Sequence, residues 1–413
     1  MKISCKNINL DIKAPPSKSV GHRELIVNFI LGARGAYLDE DPDDNDDIRA
    51  TKSCLCALTD TESETLILNC NESGSTLRFM IPVALAVKSS SNKTLIFKTR
   101  GRLIDRPIEE IADCLKPFGV SITKKHDENE IEVKGAITPG RYVIDGSVSS
   151  QYISGLLMAL STFEKESVVE VTGGIASVHY IELTADVLKK YGVDIVREGD
   201  TYKVPAKKQS KVPDGSFEVE GDWSNGAFLL CLGSLIHGGS IKVTGLNADS
   251  VQGDKAILKF MKFAGISFLI EGDAIFVMDS TRNGIGEKIE MDCSDIPDIV
   301  PYMAVTGAFR AKRTILKGIK RLRIKESDRA KAITDMLTAI GGNVTLEEDT
   351  ITIEYIDKAA GDIKLTSSND HRMAMAAVLC AAATGRTVDI DNIDCLDKSF
   401  PEFRKILLKE MAV

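Results

Sequence analysis

ESGSTLRFMIPVALAV, residues 72–87, runs from a short polar cluster straight into a helix with almost no polar face. A helix apolar on nearly every side has to be buried on nearly every side, which leaves its polar start as its contact with water. The pattern is not isolated. SKSVGHRELIVNFIL begins at residue 17, SVSSQYISGLLMALS at 147, DWSNGAFLLCLGSLI at 222, DIPDIVPYMAVTGAF at 295 and NDHRMAMAAVLCAAAT at 369. After the first interval the spacing is close to constant, as expected of an internal repeat. Alternating stretches fall between these helices and read as half-buried strands: TLIFKT, EIEVKG, SIKVTG and TITIEY. A second, more polar set of helices (IEEIADCLKPFG, IELTADVLKKYG, KAILKFMKFAG, RAKAITDMLTAIGG) ends in glycine, the residue that most readily takes the left-handed conformation closing a helix. Six strand–helix units of this kind give an α/β (α+β) protein. If three apolar helices pack side by side in each of two lobes, their N-termini gather on one face, and two such faces make a cleft ringed by positive helix ends.

Capping accounts for the Ser, Asn and Asp residues at these starts. It does not account for Lys18, Arg23, Arg78 and Arg372, cations placed where the helix dipole is already positive. A local rule broken in this way points to anions held at the helix starts. Single residues elsewhere have plain structural explanations. Asp295 and Asp298 read as helix caps, Glu326 and Arg329 as an i,i+3 ion pair within one helix, and Arg106 as a surface residue before a helix-opening proline.

The composition sets limits on the ligand. With 413 residues, 43% hydrophobic and 27% charged, the chain has enough material for two or three domains. Its net charge of −8 argues against a broad nucleic-acid surface, so an anion needs a local basic pocket. No apolar run reaches membrane-spanning length, and MKISCKNINL lacks the apolar core of a signal peptide, so a cytoplasmic location is expected. The nine scattered cysteines read as reduced thiols rather than zinc ligands. The acidic run Asp39–Asp47 reads as a solvated loop before a helix, with Asp46 and Asp47 available to orient nearby cations. No G-x-x-x-x-G-K-[ST] phosphate loop occurs.

The stretches PPSKSVGHR, ESGSTLR, DRPIEE, DGSVSSQY, IPD, RIKESDR, NDHRMAM and DKSFP, in this order over essentially the whole chain, closely resemble the EPSP synthases, a branch of the enolpyruvyl transferase family. The resemblance implies a two-lobed inverse α/β barrel of six βαβαββ repeats, three per lobe. Residues 1–15 plus 220–413 would form one discontinuous lobe and 16–219 the other, with the active site in the cleft. It also implies transfer of the enolpyruvyl group of phosphoenolpyruvate to the 5-hydroxyl of shikimate 3-phosphate, by addition and elimination through a tetrahedral intermediate. Neither cofactor nor metal is implied, the partners are the two small substrates, and the expected assembly is a monomer.

Carried over residue by residue, the resemblance makes Asp298 the base for the attacking hydroxyl and Glu326 the proton donor and acceptor at the methylene, with Lys18 touching both substrates. Ser19 and Arg23 would take the shikimate carboxylate, Arg23 in a fork-like contact. Ser149, Ser150 and Ser177 would take the 3-phosphate, Gln151 would lie between the substrates, and Lys325 would contact the hydroxyls beside Asp298. Gly74, Arg106, Arg329, Arg372 and Lys398 would form the phosphoenolpyruvate site, supported by His371. Three departures stand out: Glu72 where relatives often carry Asn, Arg321 where an Asn often precedes KES, and SVHY where SKPY is frequent, with Tyr180 kept. The sibling enzymes acting on UDP-N-acetylglucosamine usually start with Lys-Asn and carry a reactive Cys or Asp in the loop before the RP motif. Here that loop reads GRLIDRP, with Asp105 but no cysteine, and Cys114 falls in the next helix. A non-catalytic anion-binding scaffold is the reading of another class, and it would be expected to have lost some of Lys18, Asp298, Glu326, Arg329 or Lys398.

Overall fold

Alternation in the strands and uniform apolarity in the helices translate directly into layers. In the strand Thr65–Asn71, Leu66, Leu68 and Cys70 are buried while Ile67 is 55% exposed, so one face of the sheet meets a helix layer and the other meets water. The computed structural model describes residues 1–32, 44–87, 93–175, 177–207, 219–281, 284–357, 359 and 363–413; Asp39–Asp43 of the acidic run lie outside them. The chain divides into two compact units, Met1–Ser17 with Glu220–Val413, and Lys18–Val219.

The unit Lys18–Val219 holds two complete strand–helix–strand–helix–strand–strand copies. In the first, Thr65–Asn71 pairs in parallel with Thr94–Thr99 across the Gly74–Ala86 helix, Leu68 opposite Phe97. The hairpin Ser121–Lys125 and Glu130–Lys134 then adds antiparallel. In the second, Arg141–Asp145 and Ser167–Thr172 pair in parallel across the Ser150–Leu160 helix, and Thr201–Val204 and Val196–Glu198 extend the sheet. The helices Lys18–Leu31 and Asp46–Ala57 pack beside these copies, and one apolar core runs through the unit.

The other unit repeats the plan with two topological twists. Gly286–Asp292, Val300–Arg310, Ala311–Lys317, Arg329–Ala339 and the hairpin Val344–Leu346/Thr350–Glu354 form an uninterrupted copy. A second copy begins with Asn9–Lys13, which pairs in parallel with Ser240–Thr244, Ile12 opposite Val243. The entire Lys18–Val219 unit is inserted between that first strand and its helix, Trp223–Leu235. A third is completed by the chain's own beginning: Ile363–Leu365 and Val388–Ile390 pair in parallel, and Lys2–Ile3 closes the sheet antiparallel, Ile3 opposite Val388.

All thirteen residues of Trp223–Leu235 and eleven of thirteen in Gly74–Ala86 are buried. At roughly 1.5–3 kcal/mol per fully buried large apolar side chain, burial of these helices contributes strongly to stability. The polar helices close as expected, with Gly119, Gly192, Gly265 and Gly341 all at positive φ just past their ends. Pro107 does not open its helix: Glu109–Leu115 begins two residues later, with the Glu109 carboxylate accepting the Ile108 N–H at 2.8 Å.

Candidate active site

In the Lys18–Val219 unit the polar helix starts are tied together by side chains. Ser73 caps Gly74–Ala86 by accepting from the Thr76 N–H, and Ser149 caps Ser150–Leu160 by accepting from the Gln151 N–H, both at 3.3 Å. Gln151 links the two helices: its Nε2 donates to Ser75 Oγ at 2.8 Å, and its Oε1 accepts from Arg78 Nη1 at 2.9 Å. Arg78 lies over the Tyr152 ring, and the Tyr152 hydroxyl donates to the Pro107 carbonyl, which fixes the loop carrying Arg106. Gly74 has no positive φ; its role is close approach. A Cβ there would overlap Arg106 Nη1 and lie 3.3 Å from Arg78 Nη1. Lys18 Nζ donates to Asp47 Oδ2 at 2.8 Å. Ser177, fully buried, holds a left-handed backbone (φ +57°, ψ +61°) just before Val178–Lys190. That conformation is uncommon for a residue with a Cβ and is concentrated at functional sites.

Arg23 is the most telling cation of this unit. It is 1% exposed, and its contacts are the oxygens of Thr184 (2.7 Å), Ser19 (2.6 Å), Tyr180 (2.9 Å) and Ser154 (3.3 Å), with the Phe79 and Tyr180 rings beside it. All of these are neutral. A buried guanidinium with no counter-charge among the described residues is costly and suits a site completed by an anion. Four of its five N–H groups are already donated, so a fork-like contact with a carboxylate requires these bonds to rearrange.

In the unit built on Glu220–Val413, Arg329 is the hub. Its Nη1 donates to Asp298 at 2.7 Å, its Nη2 to Glu326 at 2.8 Å, and its Nε to Asp370 at 2.8 Å. Lys325 Nζ donates to the same Asp298 oxygen at 3.2 Å, and Lys398 Nζ is 3.8 Å from Glu326 Oε1. Arg372 Nη1 donates to the Tyr302 hydroxyl at 3.0 Å. Two local expectations fail here. Asp298 is no helix cap, because Val300–Arg310 starts after Ile299 without a side-chain cap, and the two cations hold the carboxylate instead. Glu326 is not inside the helix of Arg329: the helix is capped by Asp328, and the pair is made from the segment before it.

Burial alone would raise the Asp298 carboxyl, but Lys325, Arg329 and Arg372 outweigh it and hold the group well below the usual carboxylate range. Burial pulls Lys325 down to about 8, against the opposing pull of Asp298. Cys114 is a buried helical thiol whose burial pushes it up to about 12, so it is unsuited to act as a nucleophile.

Two carboxylates were not singled out in the sequence. Asp370 is fully buried and anchors Arg329 while capping its own helix through the Arg372 N–H at 2.9 Å. Its position one residue before His371 was the available signal. Asp254, 4% exposed, accepts a hydrogen bond from Ser224. Burial, reinforced by the charge of Asp298, pushes its carboxyl up to about 7, with Ser224 and Arg372 opposing. A raised acid holds its proton in the native state while the unfolded chain, near 3.8, has lost it, so its contribution to stability is lost as pH rises from about 4 to 7. Asp254→Asn removes that dependence. Thermal melts of the variant and the wild type are expected to show the variant gaining at pH 8 by roughly 2 °C or more and gaining little at pH 4.5; a gain that does not depend on pH contradicts the assignment.

Comparison with known proteins agrees with this architecture. The family described as EPSP synthase (3-phosphoshikimate 1-carboxyvinyltransferase) matches residues 4–407. A 3-phosphoshikimate 1-carboxyvinyltransferase of Clostridium novyi (strain NT) is 35% identical, covering 98% of this chain and 96% of the relative. One from Clostridium acetobutylicum is 34% identical over 95% and 93%. Among solved structures, an EPSP synthase from Acinetobacter baumannii superposes with a TM-score of 0.73 at 21% identity, with complete coverage of both chains. The enolpyruvyl transferase NikO from Streptomyces tendae superposes with a TM-score of 0.72 at 13% identity, covering 99% of this chain and 96% of that one. At those identities the structures establish the shared two-domain inverse α/β fold. The family match and the Clostridium relatives carry the assignment further: the chain belongs to the EPSP synthase (3-phosphoshikimate 1-carboxyvinyltransferase) family.

Proposed function

We propose that this chain transfers the enolpyruvyl group of phosphoenolpyruvate to the 5-hydroxyl of shikimate 3-phosphate and releases phosphate. The observation that carries the reading is the cluster of Asp298, Lys325, Glu326 and Arg329 in a chain that matches its family over residues 4–407. The reaction needs a carboxylate to take a hydroxyl proton, an acid to protonate a methylene, and cations for two phosphates and two carboxylates.

In this reading Glu326 delivers a proton to the phosphoenolpyruvate methylene, making the adjacent carbon electrophilic. The substrate hydroxyl attacks that carbon as Asp298 takes its proton. Glu326 then recovers a proton from the new methyl group as the bond to phosphate breaks, restoring the double bond. Asp298 is ionised at any working pH but weakly basic, so proton transfer to it has to accompany the attack rather than precede it. Arg329 donates to one oxygen of Glu326 and Lys398 lies 3.8 Å from the other, so both cations fix the carboxyl that exchanges the methylene proton.

Ser19, Arg23, Ser149, Ser150, Ser177 and Lys325 are proposed for shikimate 3-phosphate. Gly74, Arg106, Arg329, Arg372 and Lys398 are proposed for phosphoenolpyruvate, and Lys18 and Gln151 for both. The neutral surroundings of buried Arg23 support an anion there, and the uncommon backbone of Ser177 supports a ligand contact. The test mixes purified protein with phosphoenolpyruvate and shikimate 3-phosphate and follows phosphate release. Release is expected with this pair and not when UDP-N-acetylglucosamine replaces the shikimate substrate. The opposite pattern transfers the chain to the sibling reaction, and no release with either acceptor overturns enolpyruvyl transfer.

A further inference from the structure

The helix Lys18–Leu31 carries a histidine that none of these substrate contacts uses. His22 sits between Lys18 and Arg23 in sequence, is 1% exposed, and meets Phe79 edge-on with ring centroids 6.1 Å apart. Its Nδ1 is 2.7 Å from Thr51 Oγ1, and Thr51 Oγ1 is 2.7 Å from Thr76 Oγ1. Thr76 Oγ1 is in turn 2.7 Å from Ser73 Oγ and 3.3 Å from the Asp47 carbonyl oxygen. Four side chains from three helix segments form one continuous line, and every member is buried. One end is Ser73, the cap of the helix whose first residue is Gly74. The side branch is Asp47, whose carboxylate holds Lys18.

Counting protons gives the line a direction. The Asp47 carbonyl only accepts, and Ser73 Oγ already accepts the Thr76 N–H. With Thr76 donating toward these oxygens, Thr51 donates to Thr76, and His22 supplies the Nδ1–H. Its Nε2, which has no partner among the described residues, is then a bare lone pair, the cheaper group to leave unpaired. Burial drives the imidazole down to about 3, with Lys18 and Arg23 adding to the effect and Asp47 opposing it. The ring therefore stays neutral at working pH and the direction does not reverse.

Apolar side chains would fill this volume without burying four polar groups. Dispersion contacts tolerate small shifts, whereas a fully connected line of short hydrogen bonds fixes distance and direction. We propose that His22, Thr51 and Thr76 are positioning residues that set the Ser73–Gly74 turn and, through Asp47, the Lys18 ammonium before phosphoenolpyruvate arrives. This rests on the assignment of Gly74 and Lys18 to phosphoenolpyruvate.

The test compares Thr51→Val, which removes one hydroxyl at nearly constant volume, with Thr51→Ser, which keeps it. Amide hydrogen exchange of Ser73–Leu77 is read in the free protein, and steady-state kinetics are read for both substrates. Thr51→Val is expected to speed exchange by about fivefold and to raise KM for phosphoenolpyruvate about tenfold. KM for shikimate 3-phosphate should rise less, because of the positioned groups only Lys18 is assigned to that substrate, and Thr51→Ser should restore both readings. His22→Leu interrupts the line at its other end and gives the same readings if Thr51→Val does not fold. Unchanged exchange overturns the proposal, as does an equal rise in both KM values that tracks a fall in Tm. Exchange needs no substrate, so a wild type without turnover defeats the functional reading while the positioning line is still judged by exchange.

Discussion

Asp298→Asn is expected to lower kcat by roughly 10²–10⁴-fold, the range associated with removing a positioned base, while shikimate 3-phosphate still binds. The substitution keeps the shape of the side chain and removes its charge. In the native protein one Asp298 oxygen accepts from both Lys325 and Arg329. Without it these cations lose their shared counter-charge, and Lys325, already pulled down to about 8 by burial, loses the neighbour that opposed that shift. Some loss of stability should therefore accompany the loss of turnover, because breaking one side of a buried pair leaves the other uncompensated. Arg329 remains held by Asp370 and Glu326, which limits the damage. Single-turnover rates and calorimetric titration with shikimate 3-phosphate separate the two effects. Wild-type turnover in the variant removes Asp298 from the chemistry; loss of binding in step with turnover makes it a structural ion-pair member only.

The difference between Asp298 and Asp254 shows what the sequence could convey. Periodicity made the buried helices and their polar starts visible because each signal lies within one continuous stretch. ESGSTLRFMIPVALAV announces both its cap and its core face, and Ser73 and Leu77–Leu85 behave accordingly. The resemblance supplied Asp298, Glu326 and Arg329, but local spacing misread how they are held. Glu326 and Arg329 looked like neighbours in one helix, and Asp298 looked like a cap. The partners that decide their electrostatics, Lys325 for Asp298 and Asp370 for Arg329, come from segments 27 and 41 residues away. Asp254 lies in a short turn with no periodic signal, and its raised proton affinity arises from burial and from proximity to Asp298, against the hydrogen bond from Ser224. The same holds for His22. Nothing in its own stretch singles it out, and only the fold brings Thr51 and Thr76 into line with it. Segment-level chemistry is legible in sequence; charge compensation between segments is a property of the packed structure.

That distinction also decides how Gly74 should behave on substitution. Its backbone is not left-handed, so an alanine is tolerated conformationally and even suits the first turn of a helix. The conflict is with a side-chain tip. The added methyl would overlap Arg106 Nη1 and crowd Arg78 Nη1 at 3.3 Å. A guanidinium at the end of a flexible chain moves more easily than backbone, so the expected cost falls on the position of Arg106 rather than on folding. Gly74→Ala should leave Tm within a few degrees of wild type and raise KM for phosphoenolpyruvate. Overpacking costs of about 1–3 kcal/mol correspond to roughly 5- to 150-fold. The affinity for shikimate 3-phosphate should change little. Arg106→Ala should also weaken phosphoenolpyruvate binding, and the pair makes a decisive cycle. If the methyl acts by displacing Arg106, Gly74→Ala adds little once that side chain is gone, and the two effects are strongly non-additive. Additive losses would mean that the methyl blocks the substrate directly, and an unchanged KM in both single variants would remove Gly74 and Arg106 from the phosphoenolpyruvate site.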